Sequence, residues 1–251
     1  MQSQRRLAAT TSLVIALAAF CSPARSDQPA LVIPLAIPAP DDSAGGIIVA
    51  DVNSDRKQDF LVTVPGRLAV YDNSGRKLWI KTTQIVVGSQ SESHGLPGHH
   101  GPGVAAGDVN GDGKCEVIYL TRDGILHCVD GATGVEQCTA RPPVPNGAAR
   151  WELAMIADFQ GKGDDHDLLL QATNKKGYRT GRYLAAYSFD RLMAGEEPLW
   201  ETDRFASCAH NGARLADIDG DGRDEVLGAT IFSEQGELLT QAANFRGHID
   251  S

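Results

Sequence analysis

Four times along the chain a short apolar run ends in an aspartate, a polar loop follows, and a second apolar run begins. The aspartates are Asp51, Asp108, Asp158 and Asp217, so the pattern recurs at spacings of 57, 50 and 59 residues. A period of that size belongs to repeat arrays rather than to a single-core globule. Downstream of each loop lies a second pair of apolar runs around a turn-forming centre. Leu68 to Trp79 aligns with Leu126 to Cys138, each pair enclosing Asp, Gly and Asn, Ser or Thr. The third repeat offers Tyr183 to Phe189 and, after a longer connection, Pro198 to Trp200; the fourth offers Ile231 to Leu239. Such centres between strand-like runs are hairpin chemistry. Four strands per repeat make one antiparallel blade, and successive blades make a β-propeller. No stretch carries a sustained helical stripe. The expected fold is all-β: blades at about 45–98, 99–147, 148–206 and 207–251. Arg246 to Ser251 stands where earlier repeats begin their first strand, so the ring is expected to be incomplete at about four blades, with unpaired edges.

The loops themselves carry the candidate chemistry. The two cleanest run from Asp108 to Glu116 and from Asp217 to Glu225. Oxygen side chains stand at loop positions 1, 3, 5 and 9: Asp108, Asn110, Asp112 and Glu116, and Asp217, Asp219, Asp221 and Glu225. Gly113 and Gly222 allow a tight turn, and the carbonyls of Lys114 and Arg223 add a ligand at position 7. A hard cation such as Ca²⁺ takes six to eight oxygens at about 2.3–2.6 Å, which this spacing can supply. An EF-hand would need a bidentate Glu at position 12 and flanking helices. Position 12 is Tyr119 or Gly228, and the residues that follow favour strands, so that reading fails. A third candidate, Asp51, Asn53, Asp55 and Asp59, keeps all four oxygens but has Arg56 in place of the glycine. The loop from Asp158 to Asp167 has Lys162 at position 5 and one extra residue. A cation there opposes a metal, so this loop is expected to be a metal-free remnant.

Residues 1–26 have the anatomy of a secretory signal: Arg5 and Arg6, an apolar core from Leu13 to Phe20, and small residues around Ala24 and Ser26. The apolar run is too short for an easy membrane span. A linker at 27–44 follows. The whole chain has a net charge of −9; without residues 1–26 it has 20 basic against 32 acidic residues, a net −12. That surface argues against nucleic acid. Cys115, Cys128, Cys138 and Cys208 remain after export. Cys128 and Cys138 lie on opposite arms of one predicted hairpin and can pair across it in an oxidising compartment. Four cysteines allow three pairings, and buried free thiols are the alternative. His94, His99 and His100 lie in a Gly/Pro-rich loop that reads as solvated rather than as a metal site. Trp79, Trp151 and Trp200 recur in or beside strands and are expected to pack between blades.

The loop followed by an apolar strand, Asp108 to Leu120 and Asp217 to Leu227, resembles the FG-GAP/VCBS calcium-loop propeller repeats. The fourth repeat, from Cys208 through His210, Asn211 and the calcium-type loop to Thr230, then Gly247, His248 and Asp250, resembles the rhamnogalacturonan lyases of polysaccharide lyase family 11. That resemblance implies an eight-bladed, calcium-rich propeller that cleaves a pectin backbone by β-elimination. It covers only about 205–250, and this chain supplies about four blades. β-Elimination at a uronate needs a cation or arginine on the carboxylate and a base for the C5 proton. His210, Arg214 and His248 are the residues placed near such a cleft. Two functions therefore compete. A secreted calcium-binding module that binds an acidic polysaccharide or a cell-surface partner without turnover needs only the loops and the export signal, and it leads. The alternative is a lyase, or part of one.

Overall fold

The computed structural model describes residues 32–38, 46–85, 103–163, 166–174, 180–206 and 212–242. The expected export signal, the His94–His100 loop, Cys208, His210, His248 and the Arg246–Ser251 segment lie outside them. The chain divides into Met1–Val32 and Ile33–Ser251, and among the described residues every strand lies in the second unit.

The described residues of that unit form four separate four-stranded antiparallel sheets, each built in chain order. Blade 1 holds β1 (Gly46–Ala50), β2 (Asp59–Val64), β3 (Arg67–Tyr71) and β4 (Lys77–Thr82). Blade 2 holds β5 (Val104–Gly107), β6 (Glu116–Leu120), β7 (Leu126–Asp130) and β8 (Glu136–Ala140). Blade 3 holds β9 (Ala148–Ala157), β10 (Asp167–Asn174), β11 (Thr180–Ser188) and β12 (Trp200–Thr202). Blade 4 holds β13 (Arg214–Ala216), β14 (Glu225–Leu227), β15 (Thr230–Phe232) and β16 (Leu238–Gln241). These are propeller blades, as the repeat predicts. The long connection in blade 3 contains a short helix, α1 (Phe189–Met193), which the sequence pattern did not announce. Five residues are too few to show a helical period, and Phe189 and Leu192 simply bury against the neighbouring cluster.

The middle strands are apolar on both faces because each blade is sandwiched. In β6, Val117 joins the cluster with Leu61 and Val70 of blade 1, while the adjacent Ile118 joins Leu168, Leu170 and Ala185 of blade 3. Successive strand side chains point to opposite faces, so one strand feeds two interfaces. Full burial of a side chain such as Ile118 is worth about 1.5–3 kcal/mol. A third cluster joins Leu169, Leu184 and Ala186 to Val226 and Phe232 of blade 4. The tryptophans clamp these joints, as expected. Trp79 Nε1 donates to Gly131 O and Trp200 Nε1 donates to Glu234 O, both at 2.7 Å. Each ring lies on a turn glycine of the next blade, Gly134 or Gly236, where an added Cβ would sit 2.7 Å from the indole. Trp151 Nε1 donates to Pro143 O at 3.1 Å.

The two outermost faces of the array differ from the internal ones. Val109, at loop position 2, is 1 % exposed against blade 3, whereas its counterpart Ile218 in blade 4 is 53 % exposed. On blade 1, Ile47 and Val49 are exposed. Part of the expected linker covers the rest of that face: Ile33 and Ile37 pack on Val62, Val64, Ala69 and Tyr71, and Ala36 N–H donates to Tyr71 Oη at 2.7 Å.

Candidate metal-binding loops

Each loop joins the first and second strands of its blade. The acid at position 9 (Asp59, Glu116 or Glu225; in the longer third loop the tenth residue, Asp167, takes this place) is the first residue of the second strand and pairs with the residue preceding the loop aspartate. Sheet register therefore brings the two ends of the loop together. The turn between them is held by carboxylates accepting from backbone N–H groups. Asp108 accepts from Gly111 and Gly113, both at 2.7 Å; Asn110 and Asp112 accept from residues two further on, at 2.9 Å. Asp217 repeats this with Gly220 at 2.6 Å and Gly222 at 2.9 Å, and these N–H bonds hold its carboxyl below the usual range.

Positions 4 and 6 both take left-handed backbone. In the clean loops they are Gly111, Gly113, Gly220 and Gly222, so the path calls for two glycines where the sequence reading noted one. In the first loop Ser54 (φ 60°) and Arg56 (φ 67°) adopt the same conformation. A side chain there costs about 1–2 kcal/mol per residue. The first loop keeps the shape at the expense of strain.

The position-9 acid has a role beyond the ligand expected of it. One of its oxygens accepts the N–H of position 2 in every loop: Val52 at 3.2 Å, Val109 at 3.2 Å, Phe159 at 2.9 Å and Ile218 at 2.9 Å. What the other oxygen meets divides the loops. In the first, Asp59 Oδ1 accepts Asn73 N–H at 3.0 Å, and Asn73 Nδ2 reaches Asp55 at 3.4 Å. In the third, Asp167 Oδ1 accepts Gln160 Nε2 at 2.6 Å. In the second, Glu116 Oε1 is buried and among the described residues no direct hydrogen bond reaches it, while the Gln137 side chain lies beside the carboxylate and opposes the upward shift of its pKa. In the fourth, Asp217, Asp219 and Glu225 bring one carboxylate oxygen each within 4.8 Å of one another. An orphaned buried carboxylate oxygen in one loop and converging carboxylates in the other are donor sets that fit a hard, oxygen-seeking cation. Burial, reinforced by Asp112 and Asp108, pushes Glu116 up to about 7, and burial also raises Glu225. In the first and third loops, neutral N–H donors occupy the equivalent place.

Neighbouring loops touch along one end of the array. Asp158 N–H donates to Asp224 Oδ2 at 3.0 Å, and Asp224 N–H donates to Asp158 O at 2.8 Å. Gly131 lies under the carbonyls of Val52 and Cys115, so that an added Cβ would be 2.4 and 2.5 Å from them. Arg223, whose carbonyl is the predicted ligand, sends its guanidinium to Glu234 at 3.5 Å. Between the second and third loops, Asn110, Lys162, His166 and Asp190 line a cleft of about 310 Å³.

Of the catalytic candidates, Arg214 opens β13, is exposed, and donates from Nη1 to Ala213 O at 3.3 Å. Sequence reasoning passed over Arg150 and Glu152, whose Nη2 and Oε1 are 3.5 Å apart on β9 with Glu152 fully buried. It also passed over Asn73 and Gln160, which carry no motif of their own. One signal was present: position 9 is Glu in the two clean loops and Asp in the other two.

The FG-GAP-like repeat family matches residues 51–119, from the first loop through the second and into β6. No curated protein matches the chain. Among solved structures, the chain is similar to a rhamnogalacturonan lyase of family PL11 from Bacillus licheniformis, at 21% identity and a TM-score of 0.56, covering 79% of this chain and 42% of that one. It is also similar to the exotype rhamnogalacturonan lyase YesX, at 20% identity and a TM-score of 0.59, covering 84% and 44%. The chain thus carries an FG-GAP-like repeat in a propeller fold shared with these lyases, and it spans less than half of their length. Among the described residues no helix is long and apolar enough to cross a membrane.

Proposed function

We propose that the chain is an exported, calcium-stabilised β-propeller module that binds an acidic polysaccharide or a cell-surface partner without turnover. The observation that supports it is the second carboxylate oxygen of the acid closing each loop: N–H donors meet it in two loops, Glu116 Oε1 is buried without a direct hydrogen bond, and Glu225 converges with Asp217 and Asp219. Asp108, Asn110, Asp112, Glu116 and the Lys114 carbonyl would hold one Ca²⁺; Asp217, Asp219, Asp221, Glu225 and the Arg223 carbonyl would hold another. The ion supplies charge for the buried acids and a fixed positive centre on an otherwise acidic surface. Lys162 and His166 stand beside the second loop and, with that ion, suit a sugar carboxylate. The test is thermal unfolding with Ca²⁺ and with chelator, followed by calorimetric titration with rhamnogalacturonan and polygalacturonate. A Tm raised by Ca²⁺, with binding and no unsaturated product, is the expected result. A Tm indifferent to calcium removes the metal; failure to bind any acidic polysaccharide removes the glycan.

The fold likeness to two lyases supports a second reading, in which Arg214 and a bound cation neutralise a uronate carboxylate for β-elimination. Ultraviolet absorbance from an unsaturated sugar end would establish it over simple binding.

A further inference from the structure

The register between third and fourth strands aligns one residue pair across three blades: Val70 with Trp79, Cys128 with Cys138, and Ala186 with Trp200. In blades 1 and 2 a bulge follows this pair at once, after Val70 and after Cys128. Blades 1 and 3 use the tryptophan to clamp the next blade. Blade 2 has no tryptophan there and presents two sulfurs instead. We propose that Cys128 and Cys138 are an oxidation site that closes to a cross-strand disulfide in the exported protein, a covalent clasp where blades 1 and 3 carry their tryptophan pairs. The inference rests on the export reading.

Directly opposed residues of an antiparallel pair have Cα atoms about 4.5–5.5 Å apart, inside the range of about 4.4–6.8 Å that a disulfide spans. Both side chains point to the same face, into the cluster between blades 2 and 3. The two thiols are reduced in this structure; Cys128 Sγ donates to Gln137 Oε1 at 3.7 Å, and burial raises both thiols. Cys115 belongs to the opposite face and donates its S–H to Glu116 O at 3.3 Å. Cys138 is partly exposed and Cys128 is buried, so an oxidant meets Cys138 first. The oxidant is the disulfide of a dithiol oxidase. Cys138 Sγ attacks it, and one carrier sulfur leaves with the thiol proton. Cys128 Sγ then attacks Cys138 Sγ, and the second carrier sulfur leaves with the other proton. One disulfide forms, one is reduced to a dithiol, and no proton is gained or lost.

The full chain, with its own leader, is expressed in a host with an oxidising periplasm and alkylated at harvest. Intact mass reads leader removal and the number of trapped thiols together; a non-reducing digest reads the link. Loss of the leader, two alkylated thiols and a Cys128–Cys138 peptide are expected. Loss of the leader with four alkylated thiols, or a link through Cys115 or Cys208, overturns the proposal. A retained leader overturns the export reading instead. That material is then treated with diamide, where a Cys128–Cys138 link supports the pair and none overturns it.

Discussion

The loops 108–116 and 217–225 share their backbone path with 51–59 and 158–167, yet the two pairs answer the same electrostatic problem differently. All four place a buried acid at position 9 and spend one oxygen on the N–H of position 2. In the first pair that acid is Glu: Glu116 keeps a buried oxygen without a direct hydrogen bond, and Glu225 gathers with Asp217 and Asp219. In the second it is Asp, one methylene shorter, and a neighbouring amide or backbone N–H meets the remaining oxygen. A buried carboxylate without a partner is costly, so every copy must supply one. The lesson is that loop shape does not depend on what meets that second oxygen, because shape rests on left-handed backbone at positions 4 and 6 and on carboxylate-to-backbone bonds that all four loops retain.

The widest break in that comparison would come from calcium itself. Calorimetry should find two ions per chain, reduced to one in Glu116→Gln. At a hundredfold excess over Kd each ion adds about 2.7 kcal/mol, so chelation should lower the Tm by many degrees. Four bound ions would erase the distinction between the loop pairs.

Next in size is the pH dependence of the calcium-free protein. Glu116 is raised from 4.5 to about 7, so the folded state binds more protons than the unfolded state between those values. Its stabilising effect is therefore complete below pH 4.5 and lost as pH rises to about 7, by at most about 3 kcal/mol. Asp59, Asp167 and Glu225 are raised too and act in the same direction. Denaturant titrations with chelator should show this fall, and saturating Ca²⁺ should remove it, because the ion favours the carboxylate. A flat profile in chelator would mean that Glu116 is already compensated.

Asp59→Ala sharpens the contrast from the other side. It strands the N–H groups of Val52, Asn53 and Asn73, at a cost of about 1–3 kcal/mol, while leaving both calcium ions bound. Loss of an ion in this variant would place a metal in the first loop, as the four oxygens of Asp51, Asn53, Asp55 and Asp59 allow. The smallest effect belongs to Ser54→Gly with Arg56→Gly. Relief of left-handed strain exceeds the added unfolded-chain entropy by under about 1 kcal/mol per site, so urea midpoints should rise slightly.

Much of the site was legible residue by residue. The oxygens at positions 1, 3, 5 and 9 could be named from spacing because the turn is closed within nine residues. Lys162 marked the third loop as different for an electrostatic reason that needs no structure. Asn73 could not be read as the partner of Asp59, since it lies 14 residues on, in another hairpin, and only sheet pairing returns it to the loop. His210 and His248 fall outside the described residues, so the convergence expected of them with Arg214 stays with the proposed lyase reading.

By itself, the sequence determined the repeat period, the four-stranded blade, the apolar double face of the middle strands and the oxygen-rich loops. All of these follow from local rules: side-chain alternation, turn residues, and carboxylates bonding to nearby backbone. Tertiary structure alone decided what meets the second oxygen of each closing acid, that the 33–37 segment covers blade 1, and that Val109 is buried while Ile218 is exposed. Those outcomes depend on what a neighbouring strand or blade brings to the same point, and contact between distant residues leaves no pattern in either one's local sequence.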